Sequence, residues 1–324
     1  MASDFCLGFC SARDRLREEA AERAKLSGRL LRFGVSFLDD YCRGLLPHDL
    51  ILIAARTGAG KTTLAEMIAT GNAAAGKRVH YFALEAEPNE IERRLKFRWL
   101  AHRCYIDGFN YPDWYLGRFD DELGFLAAEA DDTLGRDYAT LQTYYKAAGD
   151  FGQADIHRLF LAIRNETDLI VLDHLHYVDT PDDVAENRAQ KEIVKAIRDC
   201  ALSIGVPIIV VAHMRKRAKR SQLLPEVEDV MGSSDIAKIA TRAILLAPAK
   251  DQTAAQSYER PTYIQADKDR LCGNQATVAL LQYDLRFSTY QDKYFLGYAD
   301  AQGESWKLAT GAIPSWAKHC ANRS

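Results

Sequence analysis

Residues 51–63 read Ile-Leu-Ile-Ala-Ala-Arg-Thr-Gly-Ala-Gly-Lys-Thr-Thr, and this stretch decides the fold. An apolar run leads into a loop of small residues and then into a helical pattern, which predicts a phosphate-binding loop between a strand and a helix. Small residues allow main-chain N–H groups to converge on phosphate oxygens, and the positive end of the following helix faces them. The pattern asks for Gly at its first position, where this chain has Ala55.

The predicted loop assigns roles to its side chains. Lys61 is expected to reach the β- and γ-phosphates of a nucleotide, and the Thr62 hydroxyl is expected to bind Mg²⁺. An ordinary glycine-rich turn would explain neither residue. The predicted nucleotide-binding residues are Arg56, Thr57, Gly58, Ala59, Gly60, Lys61, Thr62 and Thr63.

The composition is that of a globular protein. Of the 324 residues, 48% are hydrophobic and 27% are charged, which permits a sizeable core. The formal net charge of −3 gives no overall basic field, so a nucleic-acid contact would need a local patch. Seven cysteines without paired CxxC spacing predict free thiols in a reducing cytoplasm. No apolar run reaches the roughly 18 residues of a membrane span, and no signal peptide is recognisable.

Strand-like and helix-like segments alternate along most of the chain. Apolar or β-branched runs predict strands at residues 49–54, 79–84, 140–145, 168–172, 208–212, 243–246, 262–266 and 276–284. Helices are predicted from the loop to residue 75 and at residues 88–103, 153–165 and 185–204, with helical insertions within residues 105–135. This alternation predicts an α/β fold with a mostly parallel central sheet. The segment from Tyr290 onwards has no pattern that assigns it to a helix or a strand.

The N-terminal part predicts a helix of its own. Residues 12–27 are rich in Arg, Glu and Ala, and Gly28 is expected to end the helix. Two interpretations of its weakly amphipathic pattern stay open: a helix packed on its own domain, or an arm that docks on a neighbouring subunit.

Acidic residues follow two of the predicted strands. Asp173 ends an apolar strand about 110 residues after the phosphate loop, where phosphoryl-transfer sheets hold the acid on the Mg²⁺ side. Glu85 ends the strand after the loop, where its carboxylate would polarise a water for attack on the γ-phosphate. Helix capping is the alternative for both residues.

Polar and basic residues follow a third strand. His213 comes directly after residues 208–212 and is interpreted as a sensor of the γ-phosphate, with a structural histidine as the alternative. Beyond it, a basic cluster is predicted to bind nucleic-acid phosphates, with a solvated loop as the alternative. The cluster has no aromatic residue, so base stacking is not predicted there. Its members are Arg215, Lys216, Arg217, Lys219 and Arg220.

Lys268 and Arg270 follow a strand late in the chain. An Arg supplied to the γ-phosphate of a neighbouring subunit would stabilise the charge of the transition state. On their own these two residues carry no such signal, since most Lys-Asp-Arg sequences are surface charge.

Together these residues resemble the bacterial replicative helicase family, the DnaB-like branch of RecA-fold ATPases. The likeness lies in the strand and loop at residues 50–63, Leu84-Glu85, Leu-Ile-Val-Leu-Asp at 169–173, Val-Pro-Ile-Ile-Val-Val at 206–211, and Lys268-x-Arg270. The order and spacing of these motifs agree with those of the family over residues 32–287. The family also tends to have Ala where the loop pattern asks for Gly, as at Ala55.

The resemblance implies a RecA-like P-loop NTPase that binds ATP and Mg²⁺ between subunits of a hexameric ring and moves single-stranded DNA. It implies that Glu85 is the catalytic base, that Asp173 is the acid on the magnesium side, and that Lys268 and Arg270 act in trans. Residues 12–31 stand where the family has its linker helix.

The chain also departs from the family. His213 stands where Gln is usual, and His174-Leu175-His176 stands where Tyr-Leu-Gln is favoured. No segment resembles the N-terminal primase-binding domain of most members. A plasmid, phage or accessory motor is therefore expected rather than a protein of the bacterial replication fork.

The sequence thus predicts three parts: a helical arm at residues 1–31, an ATPase domain at 32–290, and a tail of unknown role at 291–324.

Two rival functions are an ATP-gated assembly factor of the RecA or KaiC kind, and a nucleotide-binding switch without a nucleic-acid role, which the near-neutral charge favours. The predicted metal ligands are Thr62 and Asp173. The predicted catalytic residues are Glu85, Lys61, Asp173, His213, Lys268 and Arg270.

Overall fold

A computed structural model describes residues 10–26, 30–103, 110–118, 121–146, 151–181, 184–214, 224–230, 234–249, 259–273, 277–300 and 304–309. The helices are α1 (Ala12–Leu26), α2 (Ser36–Cys42), α3 (Lys61–Ala74), α4 (Glu90–Arg103), α5 (Tyr111–Tyr115), α6 (Asp121–Asp137), α7 (Gln153–Ala162), α8 (Glu186–Ile204) and α9 (Ser234–Ile239). The strands are β1 (Leu50–Ala55), β2 (Val79–Ala83), β3 (Leu141–Tyr145), β4 (Leu169–Asp173), β5 (Ile208–His213), β6 (Arg242–Pro248), β7 (Glu259–Asp269), β8 (Val278–Asp284), β9 (Thr289–Ala299) and β10 (Trp306–Leu308).

The strands of the described chain form one sheet in the order β10-β9-β8-β7-β6-β1-β5-β4-β2-β3. The strands from β6 to β3 in that order are parallel to one another, and β7 to β10 extend the sheet with antiparallel pairs. Strands β1 and β4 are buried along their whole length, as their continuous apolar sequences predict for strands covered on both faces. The predicted α/β class with a mostly parallel sheet is confirmed.

The register brings the carboxyl ends of four parallel strands to one edge of the sheet. Ala55 of β1 pairs with His213 of β5, and Ala83 of β2 pairs with Asp173 of β4. We call this side the carboxyl edge, and the side where β1 and β6 begin the amino edge. Residues that follow β1, β2, β4 and β5 therefore meet at the carboxyl edge, where open α/β sheets bind ligands.

Helix α8 illustrates how the core fixes these strands. Ile193 and Ile197 lie one turn apart on the face of α8 that packs against the sheet, and both are buried with Val210 of β5. Gly205 ends the helix with a left-handed φ of 71°, which a residue without Cβ adopts at little cost. The chain then turns directly into β5.

A second, smaller core lies among α4, α5 and α6. Phe97 and Leu100 of α4 pack against Trp114 of α5 and Ala130 of α6, and Phe287 of the β8–β9 turn contacts the same cluster. The helical insertions predicted within residues 105–135 are confirmed for the part of that segment that the structure describes. This cluster forms one wall of the cavity at the carboxyl edge.

The structure corrects the predicted domain boundary at residue 290, which falls inside β9. This strand pairs with β8 over most of its length, with Leu296 opposite Ala279, so residues 291–299 belong to the sheet of the ATPase domain. The sequence does not predict this strand because Gln291, Asp292 and Lys293 interrupt the alternation of apolar and polar residues. Residues 310–324 of the predicted tail lie outside the described residues.

The N-terminal residues up to position 31 form a unit of their own, which helix α1 represents. The helix begins and ends close to the predicted positions, and both interpretations of its role remain open. Among the helices that the structure describes, every one is too short or too polar to cross a bilayer.

Candidate nucleotide site at the carboxyl edge

The loop between β1 and α3 has the backbone that phosphate binding requires. Gly58 and Gly60 have φ values of +79° and +83°, a region that residues with a Cβ rarely adopt. Helix α3 begins at Lys61, and the first N–H groups of a helix have no partner within it. The predicted loop is therefore a set of donors at the positive end of a helix.

Two tyrosines of the antiparallel strands support this loop from behind. Tyr290 of β9 is buried, and its hydroxyl donates to the main-chain oxygen of Ala59 at 2.9 Å. A Cβ at Gly60 would collide with that hydroxyl, so the position requires glycine for space as well as for φ. The Tyr283 hydroxyl lies 3.1 Å from Oγ1 of Thr63. Sequence reasoning missed both contacts. Only the aromatic character of the two tyrosines could have drawn attention to these residues.

The predicted metal ligands meet at the end of β4. Thr62 Oγ1 lies 3.5 Å from Oδ1 of Asp173, and the buried Tyr81 donates from its hydroxyl to Oδ2 at 2.7 Å. Burial raises the pKa of Asp173 to about 6, although the hydrogen bond from Tyr81 acts in the opposite direction. A hydroxyl and a carboxylate are oxygen ligands of the kind Mg²⁺ prefers, so this pair fits the ion.

Lys61 is buried beside these acids. Burial lowers the pKa of its ammonium group, whereas the nearby charges of Asp173 and Glu85 raise it and only partly compensate. The loss of hydration thus outweighs the attraction of the two carboxylates. A triphosphate placed against this ammonium would supply the missing negative charge.

Glu85, His174 and His213 lie close enough to Lys61 to interact with its charge. The Glu85 side chain is 44% exposed, and its Oε2 lies 3.1 Å from Nε2 of His174, which is fully buried. Burial lowers the pKa of His174 to about 2, with further lowering by His213, so the ring is neutral. The rings of His174 and His213 are 4.1 Å apart between centroids, and burial also lowers the pKa of His213. His176 lies in the short 3₁₀ turn that follows His174, and its ring is 5.4 Å from that of His174 and 5.7 Å from that of His213 between centroids.

The predicted residues at this edge surround a cavity of about 670 Å³. Its floor is formed by the loop, and its inner wall by the ends of β2, β4 and β5. The outer wall comes from α4, α5 and the β8–β9 turn. The lining side chains include Lys61, Thr62, Glu85, Asp173, His213, Arg94, Phe97, Tyr111 and Leu285.

Lys268 and Arg270 lie elsewhere, at the amino edge. Lys268 is paired with Ala243 at the start of β6 and donates from Nζ to the main-chain oxygen of Lys238 at 3.0 Å. The main-chain N–H of Arg270 donates to Thr241 at 3.2 Å. The length of β1, roughly 17 Å, separates this edge from the loop of the same chain. The basic cluster at residues 215–220 lies outside the described residues.

Comparison with known proteins identifies the family to which the domain belongs. Residues 31–292 match the family described as "DnaB-like helicase C terminal domain". A probable replicative DNA helicase of Trieres chinensis is 25% identical over 67% of this chain and 47% of its own length. The replicative DNA helicase DnaB of Pasteurella multocida is 27% identical over 63% of this chain and 43% of its own length. The chain thus spans less than half the length of these curated relatives.

Solved structures agree on the fold. One that is described as an ATPase domain superposes with a TM-score of 0.71 and 17% identity, covering 87% of this chain and 98% of that one. A DnaB-like replicative helicase, described with its interactions with primase, gives a TM-score of 0.70 and 17% identity over 87% of this chain and 67% of that one. Because the family match extends over most of its 324 residues, the protein belongs to the DnaB-like helicase C-terminal domain family, and its fold is that of the RecA-like ATPase domain.

Proposed function

We propose that this domain hydrolyses ATP between identical subunits and couples the reaction to movement along single-stranded DNA. The observation that carries the proposal is the division of the predicted catalytic residues between the two edges of the sheet. The phosphate loop, Glu85 and Asp173 line one cavity, whereas Arg270 lies at the opposite edge. A complete site therefore needs a second subunit.

Within one subunit, the loop residues 56–63 would hold the phosphates, with Lys61 against the β- and γ-phosphates. Thr62 and Asp173 would hold Mg²⁺ through their hydroxyl and carboxylate oxygens. When bound, Mg²⁺ neutralises charge on the phosphate oxygens. Tyr81 keeps the Asp173 carboxylate oriented through its hydrogen bond to Oδ2.

Glu85 is the proposed general base. Its carboxylate is half exposed at the cavity, beside the position proposed for the γ-phosphate and close enough to Lys61 to affect its charge. There it would take a proton from the attacking water, a role that contributes about 10²- to 10⁴-fold to a rate.

Lys268 and Arg270 are proposed to complete the site of a neighbouring subunit. Arg270 is exposed, and both residues lie too far from the loop of their own chain to act on its nucleotide. A head-to-tail arrangement that brings the amino edge of one subunit to the carboxyl edge of the next repeats around a closed ring, for which we propose six subunits.

His213 is the proposed sensor of the γ-phosphate. It ends β5, lines the cavity, and stands directly before the basic residues 215–220 in the sequence. We propose that these residues contact DNA phosphates and that the state of the nucleotide reaches them through the end of β5. The names of the curated relatives favour DNA as the nucleic acid along which the domain moves. The cytoplasmic location stays a prediction.

The deciding experiment is the ATPase rate of the purified protein with and without single-stranded DNA, at salt concentrations of about 50 and 200 mM. We expect hydrolysis that DNA stimulates, and stimulation that weakens with salt because phosphate contacts release counterions. Light scattering with and without ATP should find an oligomer. A protein that binds ATP yet never turns it over, or that stays monomeric with ATP and DNA, would contradict the proposal.

The rival functions have distinct outcomes in the same assays. An ATP-gated assembly factor of the RecA or KaiC kind would oligomerise and hydrolyse ATP without displacing a strand from a forked duplex. A switch ATPase would hydrolyse ATP at the same rate with or without DNA. No feature of the described site favours either over the motor.

A further inference from the structure

Three histidines connect the end of β5 with the proposed general base. The main-chain N–H of His213 donates to Nδ1 of His176 at 3.4 Å, and the main-chain N–H of His176 donates to Nδ1 of His174 at 3.3 Å. His174 then presents Nε2 to Oε2 of Glu85 at 3.1 Å. These contacts lead from β5 to Glu85 across the end of β4 through two hydrogen bonds and one close approach, that of Nε2 of His174 to Oε2 of Glu85.

The contact between His176 and His174 fixes the tautomer of His174. A nitrogen that accepts a hydrogen bond carries no proton, so the proton of the ring lies on Nε2. That N–H is fully buried and has no aligned acceptor among the residues that the structure describes, although Oε2 of Glu85 is within reach. A buried donor without an acceptor is costly, and a small rotation of the half-exposed Glu85 side chain would provide one.

We propose that His174 is a positioning residue that holds the Glu85 carboxylate for proton abstraction. Its Nε2–H donates to Oε2 of Glu85, and the other carboxylate oxygen then faces the attacking water. Hydrogen bonds of this kind are often poorly aligned in free enzymes and tighten in the complex with substrate. The inference rests on the proposed ATPase function, in which Glu85 is the base.

A metal ion is the competing interpretation of the same residues. Glu85, His174 and His213 offer three ligand atoms within 4.8 Å of one another, and two histidines with one carboxylate suit Zn²⁺. A metal needs the unprotonated nitrogen, however, and in His174 that nitrogen is Nδ1, which faces the main chain of His176. The contacts therefore favour a hydrogen bond to Glu85.

The test compares substitutions that keep or remove the donor at this place. His174→Phe keeps a ring without an N–H, His174→Met keeps an unbranched apolar side chain should the ring not be tolerated, and His174→Gln restores an N–H close to the position of Nε2. His80→Phe is the matched control, because His80 lies on β2 and does not line the cavity. Each protein is assayed for kcat, KM, ATP affinity and thermal unfolding.

We expect His174→Phe and His174→Met to lower kcat about tenfold or more, because a misplaced catalytic group can cost up to about 10²-fold in rate. KM and ATP affinity should stay within about twofold, since positioning of the base is not binding. His174→Gln should recover most of the lost rate. Recovery by Gln also separates the hydrogen bond from a merely structural role, because it depends on the donor and not on packing.

A second arm repeats His174→Phe in Glu85→Gln protein. There the substitution should cause no further loss, because the group that His174 positions is already inactive. Equal losses in both backgrounds, an unchanged kcat in His174→Phe, or a Gln variant no better than Phe would overturn the inference. Zn²⁺ binding to the wild type that is lost in both the Gln and Phe variants would replace it with a metal site. Absence of turnover in the wild type would instead refute the proposed ATPase.

Discussion

The two edges of the sheet use buried charge in opposite ways. At the amino edge, Arg242 is buried with its Nε 3.5 Å from Asp49 and 3.3 Å from Asp269, so its charge is balanced within the fold. At the carboxyl edge, Lys61 and Asp173 are also buried, yet the pKa of the lysine is lowered and that of the acid is raised. Burial there works against both charges, and the neighbouring groups compensate its effect only in part.

This difference separates a structural from a functional role. Groups whose pKa values are displaced by burial in a cavity are the ones a bound ligand can stabilise, whereas a paired buried charge has no such need. The amino edge nevertheless carries two further cations, Lys268 and Arg270, beside the Arg242 network. The contrast between the two edges therefore predicts that Lys268 and Arg270 act on another molecule.

The largest expected effect is that of Lys61→Ala. Removing the ammonium leaves the β- and γ-phosphates without their main countercharge, so ATP turnover should fall at least about 10³-fold and ATP affinity should fall with it. Lys96→Ala is the control, since Lys96 forms an ion pair with Asp131 at 2.8 Å outside the cavity. Nucleotide titration and a steady-state ATPase assay measure both effects. Full turnover by Lys61→Ala would remove the carboxyl edge as the nucleotide site.

The next largest effect tests the amino edge. Arg270→Ala should lower ATP turnover about 10³-fold, as expected when an arginine supplied to the γ-phosphate is lost. ATP affinity should change little, because each subunit keeps its own loop, Lys61 and Asp173. Titration with ATP and the steady-state rate separate the two quantities.

Mixing inactive subunits sharpens this test. An oligomer of Arg270→Ala and Lys61→Ala subunits contains some interfaces in which an intact loop faces an intact Arg270. A fraction of the wild-type turnover should therefore return on mixing. Two variants that remain inactive together, while each still assembles, would argue against a role in trans.

The sequence predicted the carboxyl edge well because its signals are local. Strands β1, β4 and β5 are almost wholly apolar runs. Asp173 and His213 end two of them and Glu85 follows β2, so these residues reach the edge whatever the rest of the chain does. The contacts that join distant segments left no such signal. Tyr290 meets Ala59 across 231 positions, and nothing in the residues around Tyr290 indicates that partner. His174 stands out in the sequence only as a departure from the family, because the face it presents depends on packing.

A smaller effect concerns the stability of the ligand-free protein. Asp173 has a pKa of about 6 in the fold and an ordinary value of 3.8 when unfolded. Between these values the folded state holds a proton that the unfolded state has released, so stability falls as the pH rises from about 4 to about 6. Asp173→Asn removes this cost. It should gain nothing near pH 4 and about 1–3 kcal/mol near pH 8, measured by urea unfolding without Mg²⁺.

The same substitution at the amino edge should have the opposite sign. Asp269→Asn leaves the buried Arg242 with one carboxylate fewer, so it should destabilise the protein near pH 8 by about 3 kcal/mol, as breaking a buried pair does. Opposite signs would show that the two edges differ as described. A gain for Asp173→Asn that is the same in acid and in mild base would contradict the assigned cause.

The smallest effect concerns the support of the loop by β9. Tyr290→Phe removes only the hydroxyl that donates to Ala59, which should cost about 1 kcal/mol of stability and raise the KM for ATP a few-fold while kcat is kept. Tyr294→Phe is the matched control, because Tyr294 lies on the same strand and donates to Asp40 at 3.0 Å. It should lower stability at least as much without changing KM, because a carboxylate accepts a stronger hydrogen bond. If both variants raised KM equally, β9 would act on the site only through overall stability, and the contact with Ala59 would have no separate role.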